Sequence, residues 1–122
     1  MHVTLTASTQ GITVSGTPLI SRPMQGGHST PTLQGPTIHV APGGSIIVTF
    51  INHLGTDANG DGIPTNIHYH GMHVSPLAEA DNVFRTFDNG KTYHSRIDVP
   101  ANQPTGTFWD PAHFHGTSDH TR

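Results

Sequence analysis

The sequence predicts an all-β domain, and three observations carry that expectation. Several short runs alternate apolar and polar residues, the period of a strand with one face buried. The 122 residues include 14 Gly and 10 Pro, enough turn formers for many short strands. No stretch longer than about ten residues combines helical periodicity with capping signals. The length suits one domain, residues 1–122, with a single core.

The strands can be taken in order. His2-Val-Thr-Leu-Thr-Ala places Val3 and Leu5 on one face, and Gly11-Ile-Thr-Val-Ser-Gly repeats the pattern through Ile12 and Val14. The two read as short strands around a Ser-Thr-Gln-Gly turn. Residues 17–35, rich in Pro, Gly and Ser, read as a long surface connection. Ile38 and Val40 alternate ahead of a Pro42-Gly43-Gly44 turn, and 45–51 is a β-branched run typical of a strand buried on both faces or nearly so. Asp57-Ala-Asn-Gly-Asp-Gly62 imitates the start of a calcium-binding loop, but the twelfth position is His68, not Glu, and no helices flank it. It reads as a solvated turn. Residues 66–70 form a histidine-bearing strand. Asn89-Gly90 is a turn dipeptide, and Tyr93, Ser95, Ile97 and Val99 share one face of a last clear strand.

Composition narrows the function. Hydrophobic residues make up 32% and charged residues 11%, which allows a modest core and argues against a charged, disordered chain. A net charge of −3 with only five Lys and Arg gives no basic patch for nucleic acid or anionic lipid. No apolar run approaches the roughly 20 residues of a membrane span, and the N-terminus carries no visible signal peptide. With no Cys, disulfides and thiolate metal sites are excluded within these residues, while the redox compartment stays open.

The anomaly is eleven His. His2, His28, His39, His53, His94 and His120 read as structural or exposed. His68-Tyr-His70-Gly and His113-Phe-His115-Gly are different, because residues two apart on a strand point the same way, roughly 6.5–7 Å apart. Paired imidazoles suit copper or zinc, whereas magnesium and calcium would require oxygen ligands. Glu79 and Asp110 are the acids near these motifs. A copper centre built on His, Cys and a weak axial ligand cannot be assembled without Cys.

Four ordered motifs resemble the amino-terminal cupredoxin domain of multicopper oxidases, the laccase-like family. Gly35-Pro-Thr-Ile-His-Val-Ala-Pro-Gly43 and Ile47-Val-Thr-Phe-Ile-Asn-His-Leu54 resemble G-P-x-I-x-V-x-x-G-D…V-x-x-x-N-x-L. His68-Tyr-His-Gly71 resembles the first copper motif, H-x-H-G. Asp98-Val-Pro and Gln103-Pro-Thr-Gly-Thr-Phe-Trp109 resemble the approach to the second, G-T-[FY]-W-Y-H-x-H.

The resemblance implies a cupredoxin-like antiparallel Greek-key β-sandwich. It also implies that His68 is a type 2 copper ligand and that His70 and His113 are type 3 ligands. His73 and His115 match positions that are usually not ligands. Where the family has Tyr-His after the Trp, this chain has Asp110-Pro111, so one type 3 ligand is missing. Asp110 could offer an oxygen, but one position early and toward the other face of the strand. The chain lacks the family's last strand and its carboxyl-terminal ligand motifs. A sandwich without that strand exposes a sheet edge, which invites pairing. The expected partners are therefore further copies of the chain, a strand donor, or the missing domains of a multicopper oxidase.

The first functional expectation is half of a trinuclear copper site for dioxygen reduction in a larger parent, with negligible turnover by the isolated chain. The alternatives are a non-catalytic copper- or zinc-binding oligomeric module and a metal-free structural remnant. The family resemblance implies a periplasmic or extracellular setting.

Overall fold

The computed structural model describes residues 1–14, 17–21, 24–26, 36–77 and 79–108, and among these there is no helix. Six strands are defined: β1 (His2–Ser8), β2 (Gln10–Val14), β3 (Thr17–Ser21), β4 (Met24–Gly26), β5 (Ser45–His53) and β6 (Thr92–Asp98). They form a four-stranded sheet in the order β4-β1-β5-β6 and a two-stranded sheet of β2 and β3.

β5 lies at the centre because its sequence is suited to two neighbours. Its β-branched residues fit a pleated, paired backbone, and it bonds β1 on one side and β6 on the other. Burial along it alternates strictly, with Ile46, Val48, Phe50 and Asn52 inside and Ile47, Thr49 and Ile51 half-exposed. The β-branched run is thus buried on one face only. Its inner residues meet Val3, Leu5 and Ala7 of β1 and Ile97 and Tyr93 of β6 in register. Phe50, Leu5, Ile97 and Val48 are the largest apolar side chains fully enclosed. Phe87 joins them, its ring 5.3 Å from Phe50 and stacked 4.3 Å from Tyr93.

Three expectations are corrected. The first two runs do not pair around their turn: β1 joins the larger sheet, whereas β2 pairs with β3. The stretch assigned to a surface connection contains β3 and β4, and Pro18 stands opposite Thr13 in the β2–β3 ladder. A two-stranded sheet tolerates such a residue, since proline lacks only the ladder N–H and each strand has one neighbour among the described residues. The larger sheet is not wholly antiparallel either, because β1 and β5 run parallel from His2–Ile47 to Ser8–His53.

Turns fix the ends of these strands. Gly43 takes the left-handed conformation (φ 78°). Its N–H reaches Val99 O at 3.0 Å, while Val99 N–H returns to Gly44 O at 2.9 Å. At the far end, Asn52 is wholly buried and fully used. Its Nδ2 donates to Ile63 O (2.9 Å) and Phe87 O (2.7 Å), and its Oδ1 accepts from Leu54 N (3.0 Å). One side chain thereby joins β5 to two separate loops.

The 57–62 segment is an exposed turn, as expected from its sequence. Asp57 Oδ1 accepts from Asp61 N and Asn59 N, each at 2.9 Å. Those backbone donors, Asp61's first, hold the Asp57 carboxyl below the usual carboxylate range.

Asn52→Leu removes partners from one buried and one part-buried carbonyl and from a buried N–H, so it is expected to cost about 3 kcal/mol. The neighbouring exposed change His53→Leu should stay within about 0.5 kcal/mol. Guanidinium unfolding midpoints check both. For Asp57, folding lowers the pKa, so the charge contributes fully above roughly pH 4 and the contribution disappears as pH falls through the lower folded value. Asp57→Asn keeps an acceptor but drops the charge. Its Tm is expected below the parent's at pH 7, with the two curves converging as the pH falls through the lowered folded value.

Candidate metal centre

The histidine segment is held in place by its neighbours. Thr65 forms an isolated antiparallel bridge with Phe87, each N–H meeting the other's carbonyl at 3.0 and 2.7 Å. Buried Asn66 donates through Nδ2 to Val83 O at 2.7 Å. Ile67 and Tyr69 then enter the core, which leaves His68 and His70 half-buried on the opposite side. The alternation is that of a strand, but the described residues 66–69 belong to no ladder. The His68 and His70 rings lie with centroids 4.9 Å apart and planes at 70°.

Asp81 orients this pair. It is 8% exposed, and its Oδ1 accepts from His68 Nδ1 and from Tyr69 N, both at 2.9 Å. A carboxylate only accepts, so Nδ1 of His68 is the donor of this contact. Carboxylate-to-imidazole pairing of this kind fixes the orientation of the ring. Asp81 is itself placed by a loop that folds back on the strands, with its N–H on Ser75 O at 2.9 Å and Arg96 N on Glu79 O at 2.8 Å.

The sequence expectation that Glu79 and Asp110 are the relevant acids is corrected for the first of them. Glu79 is exposed and contributes its carbonyl to β6, while the acid touching the site is Asp81, thirteen positions beyond His68. No local pattern marks Asp81, because the loop between them carries no periodicity.

Gly71, the glycine of the first His-x-His-Gly, is needed twice. Its φ is 78°, and a Cβ there would stand 3.2 Å from the Phe108 ring. The approach to the second histidine motif therefore passes directly against the first. His73 is exposed, with its backbone N–H on Gln103 Oε1 at 2.8 Å. Among the described residues no group of three or more potential ligands converges, so His73 does not join His68 and His70. His113, His115 and Asp110 lie outside the described residues.

The pair fits a copper ion by donor chemistry. It offers two half-buried imidazoles on one side of the chain, one of them anchored through Nδ1 by a buried carboxylate.

Comparison with known proteins gives the family and the fold. The family model "Multicopper oxidase" matches residues 28–122, and the chain belongs to that family. The fold is that of a multi-copper oxidase from Pediococcus acidilactici, with a TM-score of 0.65 at 21% identity over 92% of this chain and 21% of that one. A multi-copper oxidase from Pseudomonas thermotolerans gives 0.64 at 20% identity, over 94% and 25%. Lac15 from a marine microbial metagenome gives 0.56 at 17%, over 98% and 29%. The all-β cupredoxin fold is thus established, and the chain spans less than a third of the length of each of these proteins. No curated protein matches it. The family implies copper as cofactor, and zinc gains no support.

Asp81→Ala is expected to weaken copper binding by roughly 10- to 100-fold, as loss of a ligand-orienting carboxylate does elsewhere. Asp81→Asn, which keeps one acceptor oxygen, should lose less. Competitive titration against a chromogenic copper chelator measures both.

Proposed function

We propose that the chain is a copper-binding domain of multicopper oxidase type and contributes part of a trinuclear copper site in a larger protein. The observation that carries this is the His68–Asp81 pair, which anchors the ring of His68 through Nδ1 beside the ring of His70. In this reading His68 and His70 hold copper, with His113 as the third ligand from the second motif. Copper bound there supplies electron transfer to dioxygen. The protein's own work is to hold the imidazoles at fixed orientation and spacing. Asp81 does so for His68, and the buried Ile67 and Tyr69 do so for the backbone between the rings.

The remaining ligands would come from other domains or other copies of the chain. With no Cys among its 122 residues, the chain cannot supply the cysteine ligand of an electron-entry copper. Dioxygen reduction is accordingly a property of the assembled parent.

Titration of the chain with copper should give saturable binding that His68→Ala and His70→Ala each reduce by at least about tenfold. Stripping copper should lower the Tm of the wild-type chain toward that of the double variant. Phenol oxidation by the copper-loaded 122 residues should remain at the blank rate. Substantial turnover, or copper binding unaffected by both substitutions, would sink the reading.

A further inference from the structure

The histidine segment and the loop that crosses it share a spacing. Period-two alternation places Asn66 on the same side of the chain as His68 and His70. Asn66 is 1% exposed, and its Nδ2 donates to Val83 O at 2.7 Å. Two residues further along the segment His68 meets Asp81, and Asp81 stands two residues before Val83 in the loop. The bridge of Thr65 with Phe87 opens the same antiparallel run. The loop therefore lies antiparallel over the histidine side, through rungs spaced two residues apart on both stretches. Neither rung is an ordinary ladder bond, because each is made by a side chain.

What holds Asp81 differs on its two sides. Ahead of it, Asp81 N–H is bonded to Ser75 O, and Arg96 N–H ties Glu79 O to β6. Beyond it, residues 82–85 close on themselves, with Arg85 N–H on Asn82 O and Phe84 N–H on Asn82 Oδ1, both at 3.0 Å. Phe84 in this turn is 90% exposed, so its ring gives the turn no apolar anchor. The Asn66 amide grips the turn at Val83, and the Arg85 guanidinium lies 5.4 Å from the centre of the Tyr93 ring. A cation over a ring face tolerates sliding. A short hydrogen bond from a buried amide to one carbonyl does not, and it fixes the loop along its length. An apolar side chain of similar volume at position 66 would fill the space but set no register.

We propose that Asn66 is a positioning residue for the histidine pair. Its amide sets the register of residues 81–83, so that the Asp81 carboxylate meets both Nδ1 of His68 and the N–H of Tyr69. Asn66 acts through that carboxylate and is not itself a ligand. Its effect on metal binding rests on the copper reading given above, whereas its placement of Asp81 does not.

The test compares Asn66→Leu with Val48→Ala, a β5 core change that destabilises the full chain but removes no hydrogen bond. The first readout needs no metal. In the nitrogen-15-labelled chain with a chelator present, the imidazole N–H bonded to Asp81 should give a slowly exchanging resonance, assigned by its loss in His68→Ala. It should disappear in Asn66→Leu and persist in Val48→Ala. The second readout is copper affinity, by competition with a chromogenic chelator. Asn66→Leu should weaken binding at least about tenfold, as loss of a ligand-orienting group does. In an Asp81→Ala background the same substitution should change affinity by less than about twofold, because the two residues act in series. Val48→Ala should stay within about twofold of the wild type. Should Asn66→Leu fail to fold, Asn66→Ser, with its shorter side chain, is read in the same ways toward the same results. No such resonance in the wild type, its survival in Asn66→Leu, or additive losses of affinity from Asn66→Leu and Asp81→Ala would each overturn the proposal. A wild-type chain that binds no copper would instead overturn the copper reading, and the resonance alone would then decide the placement of Asp81.

Discussion

The buried amide of Asn52 is the interaction on which most of the architecture depends. It sits at the end of the central strand, where the backbone must leave the sheet and two loops must be brought together. A hydrophobic side chain could fill the volume but could not answer Ile63 O, Phe87 O and Leu54 N at once. Through Phe87 the same amide reaches the Thr65 bridge, and through that bridge it positions the start of the histidine segment. The copper-binding chemistry proposed for His68 and His70 thus stands on a polar contact well removed from either ring.

The histidine segment shows how a site can be exact without being part of a regular sheet. Side-chain alternation alone puts the two rings together, and the core residues between them prevent the segment from rotating. The carboxylate that orients His68 comes from a separate loop, whose own position depends on backbone bonds to Ser75 and to β6. Gly71 completes the arrangement by allowing the chain that carries the second motif to approach closely. The elements are modest individually, and their precision comes from mutual constraint.

What the sequence revealed follows from the range over which each signal acts. β6 was legible because period-two alternation is local, and β5 because a β-branched run is, although its burial on one face only was not; Asn52 was legible as one position of a spaced motif. β3 and β4 were obscured because Pro18 and Gly26 are turn residues wherever pairing does not override them. The parallel partnership of β1 with β5 has no local signature at all. In the site, His68 and His70 were visible by spacing. Asp81 was not, since a single carboxylate in an unpatterned loop acquires meaning only when the fold carries it to an imidazole. The metal-binding expectation for His113, His115 and Asp110 falls outside the described residues.

The order of strands in the larger sheet also has a kinetic meaning. Val3 lies beside Val48, and Thr49 beside His94, each pair separated by 45 residues. Few of the sheet's contacts can therefore form early, while the chain is short, and the loop-closure entropy of two long connections must be met before β5 has both neighbours. Such a topology places the protein among slow-folding β proteins. During synthesis β1 can meet β4 once residue 26 is made, but its pairing with β5 waits for residue 53, and β5 gains its second neighbour only after β6 emerges. The interval before closure, more than any weakness of the finished sheet, is when association between nascent chains is most favoured.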